Sequence, residues 1–179
     1  MTDRLKKNII ELTRRSAGEN ILAPKLPLIV LADNVRSLHN IGALLRTADA
    51  FAVREVIMAG ISGTPPHPEI SKSALGAEDS VKWHHADDAL TEICRLKEEG
   101  WRVCVLEQTH NSTPLQDYRP EHNDKLLLVV GNEVHGVNQL IVDVADVVLE
   151  IPQYGAKHSL NVSTSAAIAM YQLSLYLAM

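Results

Sequence analysis

The chain has 179 residues, of which 46% are hydrophobic, 22% charged and 4% aromatic, and its formal net charge is −5. This composition predicts one globular domain with a sizeable core, and it argues against both a domain-wide nucleic-acid grip and a surface of stacked aromatic rings. The sequence has neither the ~20-residue apolar run of a membrane-spanning helix nor a secretory signal, so a cytoplasmic protein with no membrane contact is expected.

Apolar strands alternate with helices along most of the chain. A short amphipathic helix is predicted at residues 3–16, and the first 16 residues hold five basic and two acidic side chains. This basic segment is suited to RNA phosphates, and a solvated helix face explains it equally well. Buried strands are predicted at 28–33, 54–60, 81–85, 101–107, 125–131 and 146–152. Further helices are predicted at 40–51, 69–77, 86–100 and 161–178, and the segment 132–145 is predicted to hold a turn followed by a helix.

This order of elements predicts an α/β fold, with a mostly parallel sheet flanked by helices. The whole chain, 1–179, is expected to form a single domain without a separate RNA-binding domain. Ligands bind such sheets at the carboxyl ends of the strands, and polar residues and glycines follow several of the predicted strands. The last helix is apolar nearly all round, so it is expected to be buried or to lie in an interface.

Several common site patterns are absent from the sequence. It contains no GxGxxG, GxxxxGK[ST] or GxSxG, and no two of its eight histidines have zinc-site spacing, so no metal site is expected. Cys94 and Cys104 are expected to be reduced thiols, buried mid-helix and mid-strand and therefore poor nucleophiles. The glycines of GNEVHG, residues 131–136, would let the backbone approach a ligand. The same segment is also explained as a strand-to-helix turn with Glu133 near a helix N-terminus.

Three blocks of sequence, taken together, resemble a known family. They are NIGALLRTADAF (40–51), LLVVGNEVHGV (127–137) and IPQYGAKHSLNVSTSAAI (151–168). In order and spacing they are similar to the three motifs of the SpoU/TrmH family of RNA ribose 2′-O-methyltransferases, within the SPOUT superclass. The resemblance implies an α/β domain with a C-terminal deep trefoil knot. It also implies a homodimer with active sites across its interface and S-adenosylmethionine as cofactor.

The resemblance also implies which residues hold the cofactor. Main-chain groups at Gly131, Ile151 and Leu160 match the family's cofactor positions, and the loop from Glu107 to Thr109 would close over the ligand. Glycines are expected to shape these loops, and Gly155 in particular is expected to let the last loop bend. The implied cofactor-binding set is Glu107, Thr109, Gly131, Gly136, Ile151, Gly155 and Leu160.

The reacting groups are implied in the same way. Methyl transfer needs the ribose 2′-oxygen in line with the methyl carbon, and a group that helps to remove its proton. Arg46 is implied as that group, either as a base or as an electrostatic stabiliser, and we favour the base role. Asn40 is expected to orient Arg46 or the substrate, while Glu133, Ser159 and Asn161 complete the pocket. Taken alone, each of these residues also has an ordinary explanation as a surface arginine, a helix-dipole partner or a helix cap.

The implied substrate is tRNA or rRNA, held in one cleft of the dimer. The arginines expected to line that cleft are Arg14, Arg15, Arg36 and Arg46. Ala52 stands where the family usually has glycine, a departure that keeps a small residue. Two alternatives stay open: a non-catalytic RNA-binding or assembly protein of the same fold, and a small-molecule enzyme that uses the same strand-end pocket.

Overall fold

The computed structural model describes residues 5–8, 11–12, 15–121 and 123–178. Its helices are α1 (Ala17–Leu22), α2 (Leu38–Ala50), α3 (Pro68–Ala74), α4 (Ala89–Glu98), α5 (Gln139–Val144) and α6 (Val162–Leu177). Its strands are β1 (Leu26–Asp33), β2 (Val53–Ala59), β3 (Trp83–Ala86), β4 (Trp101–Leu106), β5 (Thr113–Pro114), β6 (Lys125–Val130) and β7 (Val147–Glu150). No helix in the described part of the chain has the length and apolar character needed to cross a membrane.

The strands form one seven-stranded parallel sheet in the order β3-β2-β1-β6-β4-β7-β5. The predicted α/β architecture with a parallel sheet is therefore confirmed. After β3 the chain crosses to the other half of the sheet, and β6 later enters between β1 and β4. The carboxyl ends of β6, β4 and β7 consequently lie side by side, which brings the loops that follow them together.

The side chains of the central strands alternate between two cores. Leu28 and Val30 of β1 belong to the core on the side of α2 and α6, whereas Ile29 and Leu31 belong to the core on the side of α4 and α5. Because β1 and β6 are covered on both faces, their sequences are solid apolar runs and not alternating ones.

The predicted helix at 3–16 is not found among its described residues. Part of it lies outside the described residues, namely 3–4, 9–10 and 13–14. Its remaining residues are not helical, and the first helix begins at Ala17. Ser16 and Glu19 explain this start, because their side chains form a reciprocal capping box at the N-terminus of α1.

Two smaller expectations were also wrong. The segment 108–124, which reads as a loop, contains the two-residue strand β5 at the sheet edge. Cys94 is exposed on α4 and not buried. Cys104 is buried as expected, and burial raises the pKa of its thiol to about 12.

Candidate functional site

A cavity of about 690 Å³ opens at the carboxyl ends of β4, β6 and β7. Its volume lies within the range of roughly 300–1,000 Å³ that is typical of small-ligand sites. Its walls come from the loops that follow these strands and from the start of α6. Among the predicted cofactor residues, those that line it are Glu107, Thr109, Gly131, Gly136, Ile151 and Leu160.

Two glycines allow one wall of this cavity to be built from closely packed backbone. A Cβ atom at Gly131 would lie 2.2 Å from the carbonyl carbon of Gly136 and 2.3 Å from the nitrogen of Val137. Gly136 has a φ of +67°, and a Cβ atom there would lie 2.2 Å from Oε2 of Glu107. Both positions therefore require glycine, because the chain's own atoms occupy the space that a side chain would need. The predicted approach of this backbone to a ligand stays a prediction.

Glu107 and Gln108 tie together three of the loops around the cavity. Oε2 of Glu107 accepts a hydrogen bond from the backbone N–H of Val137 at 3.0 Å. Nε2 of Gln108 donates to the carbonyl oxygen of His158 at 3.0 Å. The loop after β4 is thus fastened both to the loop after β6 and to the loop that precedes α6.

A chain of side-chain hydrogen bonds joins the three sequence motifs at one side of the cavity. Nδ2 of Asn161 donates to Oδ1 of Asn40 at 3.0 Å, and Nδ2 of Asn40 donates to Oε1 of Glu133 at 2.9 Å. Glu133 also accepts from the backbone N–H groups of Arg36 and Ser37, at 3.1 Å and 3.0 Å. The carboxylate of Glu133 therefore holds the N-terminus of α2 against the loop after β6.

Asn161 has two functions in this arrangement. Its Oδ1 caps α6 by accepting from the backbone N–H groups of Ser163 and Thr164, while its Nδ2 reaches Asn40. The helix-cap explanation of Asn161 is therefore correct for its Oδ1 atom. It does not account for the hydrogen bond from Nδ2 to Asn40. Ser159 lies on the cavity lining nearby.

The cavity is lined by acidic groups. Its lining includes the carboxylates of Glu107, Glu133 and Glu150, and no lysine or arginine stands among the described residues that line it. Burial alone would raise the pKa of Glu133, but the hydrogen bonds from Asn40, Ser37 and Arg36 outweigh burial and hold that pKa below its ordinary value. A cavity with several carboxylate side chains in its lining and no cationic one favours a ligand that carries positive charge.

Three of the four predicted RNA-binding arginines are described by the structure, and these three lie outside the cavity lining. Arg15, Arg36 and Arg46 are exposed, whereas Arg14 falls outside the described residues. Arg46 is six residues beyond Asn40 on α2, so the two side chains leave the helix about 120° apart. The amide of Asn40 is engaged with Glu133 and Asn161, so in the described structure it orients these two groups and not Arg46.

Gly155 differs from the expectation placed on it. It is not part of the cavity lining, its φ is not in the left-handed region, and a Cβ atom there would meet nothing within 4 Å. The bend of this loop therefore needs no glycine, because the surrounding space is open and the backbone angles suit any residue.

Asp33 is a buried acid that the motif comparison did not identify. Its Oδ2 accepts from the backbone N–H of Asn138 at 3.2 Å and its Oδ1 accepts from the amide of Asn34 at 2.7 Å. Burial raises the pKa of Asp33, and the two hydrogen bonds offset this only in part. An aspartate that ends a solid apolar run was the available signal. A second hydrogen bond joins the end of β1 to the segment after β6, since Nδ2 of Asn132 donates to the carbonyl oxygen of Asn34 at 2.8 Å.

Glu133→Gln is expected to lower the free energy of unfolding by about 1–3 kcal/mol at neutral pH, because the amide presents an N–H group to donors that need an acceptor. The ordinary pKa of glutamate is about 4.3 and the folded pKa of Glu133 is lower, so its contribution is present above pH ~4.3 and lost as the pH falls through the folded value. Denaturant titrations of both proteins from pH 7 to pH 3 measure this.

The matched control is Glu98→Gln on the exposed surface of α4, for which a change below about 0.5 kcal/mol is expected. If the difference in free energy of unfolding between wild type and Glu133→Gln stayed constant down to pH 3, the charge of the carboxylate would not be what holds α2.

Residues 27–171 match the sequence profile of the SpoU rRNA Methylase family. The chain is 32% identical over 151 residues to the tRNA (guanosine(18)-2′-O)-methyltransferase of Aquifex aeolicus, which covers 81% of this chain and 67% of that protein. It is 33% identical over 148 residues to the 23S rRNA (guanosine-2′-O-)-methyltransferase RlmB of Vibrio vulnificus, which covers 82% of this chain and 58% of that protein. The matches thus span from 58% to 67% of the length of these curated relatives.

Solved structures share the fold. The crystal structure of the A. aeolicus TrmH/SpoU tRNA modifying enzyme matches with a TM-score of 0.78 and 28% identity, over 88% of this chain and 79% of that chain. The AdoMet-bound rRNA methyltransferase of Sinorhizobium meliloti matches with a TM-score of 0.77 and 24% identity, over 84% of this chain and 56% of that chain.

Proposed function

The chain belongs to the SpoU rRNA methylase family, and we propose that it transfers a methyl group from S-adenosylmethionine to a ribose 2′-hydroxyl of tRNA or rRNA. The observation that carries this proposal is the hydrogen-bonded chain Glu133–Asn40–Asn161, which joins all three family motifs beside one cavity. The relatives from A. aeolicus and V. vulnificus, whose names state guanosine 2′-O-methylation of tRNA and of 23S rRNA, support both the reaction and the substrate class.

The cavity fits S-adenosylmethionine as cofactor. Its carboxylates suit a ligand with a sulfonium and an ammonium group, and Gly131 and Gly136 let the backbone of one wall pack closely beside the cavity. Main-chain groups at Gly131, Ile151 and Leu160 would hold the ligand, with Glu107 beside them. When bound, S-adenosylmethionine supplies a methyl group that is already activated for transfer.

The chain's own residues must then orient the ribose and handle its proton. The ribose 2′-hydroxyl loses its proton as its oxygen forms a bond to the methyl carbon and the bond from that carbon to sulfur breaks. In the base role that we favour, Arg46 would first give a proton to a neighbouring RNA phosphate and would then accept the proton of the 2′-hydroxyl. In the other role, the guanidinium stays protonated and stabilises the developing negative charge while solvent takes the proton. Ser159 and Asn161, at the cavity lining, position the ribose.

We propose that the protein is a homodimer in which Arg46 serves the cavity of the partner. Two observations support this: Arg46 is exposed and off the cavity lining of its own chain, and α6 presents an apolar face to solvent. That face holds Ile168, Tyr171 and Leu175, which are 40%, 53% and 46% exposed, and the ring of Tyr171 lies 5.9 Å from that of Phe51 at the end of α2. Apolar side chains in register along a helix are typical of a surface that a partner covers.

Ile168→Asp is expected to convert the dimer to monomer at micromolar concentration, because it places a charge in the centre of the apolar face. Methyl transfer should fall in parallel, since each cavity would lose the partner's arginine. Sedimentation velocity measures the first effect and methyl transfer the second. Leu75→Asp, which changes an exposed leucine at the end of α3, is the control and should alter neither. A wild-type monomer that is fully active would contradict the proposal.

The remaining expectations are proposals as well. We propose that the C-terminal segment forms the trefoil knot of the family, that the whole chain acts as one domain, and that the protein works in the cytoplasm on RNA. The entry of β6 between β1 and β4, out of chain order, is consistent with a threaded C-terminal half.

Tritium transfer from S-adenosylmethionine tests the proposed reaction. Purified protein is incubated with separate tRNA and rRNA pools from a strain that lacks it, and label in one pool identifies the substrate class. No label in either pool, with the cofactor still bound, would favour the non-catalytic RNA-binding alternative.

A further inference from the structure

The loop between Gln153 and His158 forms a tip at the rim of the cavity. Gln153 and His158 both line the cavity, whereas the four residues between them are exposed and lie outside its lining. Tyr154 is at this tip and is 95% exposed. The open space around Gly155, where a Cβ atom would meet nothing within 4 Å, shows that the tip packs against no other segment there.

Both ends of this loop are held in place. Ile151 packs against the core at the start of the loop, and the carbonyl oxygen of His158 accepts the hydrogen bond from Gln108 at its end. The backbone of Tyr154 is therefore held near the cavity mouth, although its ring gains almost nothing from burial. Such exposure of a large ring is unexplained by the fold and points to a ligand.

The charges around the cavity indicate where an RNA strand would lie. The carboxylates of the lining disfavour phosphate groups inside the cavity, whereas Lys157, at the same tip, and Arg36 are exposed cations outside it. The backbone N–H of Arg36 donates to Glu133, a residue of the lining, so the exposed side chain of Arg36 starts from backbone near the rim. Phosphate contacts position an RNA strand, and exposed aromatic rings stack on bases that are not already stacked in a duplex.

We propose that Tyr154 stacks on a nucleobase of the RNA substrate, with Lys157 near a backbone phosphate, and that the recognised nucleotide is therefore unpaired. This inference rests on the proposed function and adds the structural class of its substrate. One ring at the rim serves one base, which agrees with the low aromatic content of the chain.

The test compares binding of one RNA in two forms. A fluorescein-labelled RNA of about 12 nucleotides and mixed sequence is used single-stranded and annealed to its complement, with anisotropy measured at one fixed salt concentration. Wild type and Tyr154→Phe are expected to bind the single strand equally and the duplex more weakly. Tyr154→Ala is expected to bind the single strand about 5- to 150-fold more weakly, the equivalent of one lost stacking contact. Leu75→Ala, at an exposed position on α3, should match wild type.

Methyl-transfer kinetics on the labelled RNA pool supply a second readout. Tyr154→Ala should raise KM for RNA by a similar factor while leaving the affinity for S-adenosylmethionine unchanged. The inference is overturned if Tyr154→Ala binds the single strand as wild type does, if the duplex binds as tightly as the single strand, or if the variant loses RNA only because its dimer dissociates in sedimentation. Wild-type protein that binds single-stranded RNA through Tyr154 but transfers no methyl group would count against the proposed reaction and not against the stacking contact.

Discussion

Arg46→Ala is expected to reduce kcat for methyl transfer by about 10²- to 10⁴-fold, the contribution typical of a positioned proton acceptor or charge stabiliser. The side chain is exposed on α2 and makes no hydrogen bond or ion pair with any described residue. Its loss should therefore change the free energy of unfolding by less than about 0.5 kcal/mol. Cofactor affinity should also be preserved, because main-chain groups at Gly131, Ile151 and Leu160, and not Arg46, are proposed to hold the cofactor.

The controls for Arg46 separate charge from geometry. Arg46→Lys keeps a positive charge without the planar guanidinium, so it should recover only part of the activity. Arg102→Ala removes an exposed arginine near the amino end of β4, whereas the cavity lies at the carboxyl ends of the strands. This variant should leave kcat unchanged. An Arg46→Ala protein with wild-type kcat would remove Arg46 from the reaction. If the protein's cellular role were also unchanged, the non-catalytic alternative would gain support.

Gly131→Ala is expected to weaken cofactor binding, with at least a tenfold loss of affinity for S-adenosylmethionine. A Cβ atom at this position would lie 2.2 Å and 2.3 Å from backbone atoms of residues 136 and 137, which cannot rotate away as a side chain can. The wall must then open, at a cost to the free energy of unfolding of about 1–3 kcal/mol or more. Isothermal titration calorimetry and denaturant titration measure the two effects.

Gly155→Ala is the matched control in the last loop of the site. A methyl group there has free space and backbone angles that suit alanine, so affinity and stability should stay at the wild-type values. Equal effects of the two substitutions would contradict the assignment of Gly131 to the packed wall and Gly155 to the open tip.

The fold was largely predictable because burial leaves a local record in the sequence. Strands β1 and β6 are covered on both faces and therefore appear in the sequence as solid apolar runs. The helices between them appear as apolar residues at helical spacing among polar ones. The order of strands was not predictable in this way, since the entry of β6 between β1 and β4 depends on pairing between distant segments. The strand β5 was missed because a strand of two residues is too short to show the alternation of apolar and polar side chains.

The residues of the candidate site were predicted better than their contacts. The motifs identified Asn40, Glu133 and Asn161, but these residues are 93 and 121 positions apart along the chain, and no local pattern shows that they bond to each other. The expectation that Asn40 orients Arg46 followed from their shared motif, whereas the helix places the two side chains on different sides. Tyr154 was overlooked because an exposed ring in a loop has no sequence signature.

The distribution of charge is compatible with the proposed action of an acidic protein on RNA. The acidic groups line the cavity, where they favour a cationic cofactor, while Arg36, Arg46 and Lys157 lie outside it, where a phosphate backbone would pass. Net charge therefore predicts little about the substrate, because the cofactor and the RNA would meet surfaces of opposite charge.

The most direct test of the central claim is to identify the methylated atom. RNA from a strain that lacks the protein is incubated with purified protein and S-adenosylmethionine, then digested to nucleosides and analysed by mass spectrometry. We expect a nucleoside whose added methyl mass stays with the ribose fragment, at a site that resists alkaline cleavage because its 2′-oxygen can no longer attack the neighbouring phosphate. A methyl group found on the base, or no methylated nucleoside from protein that binds both cofactor and RNA, would contradict it.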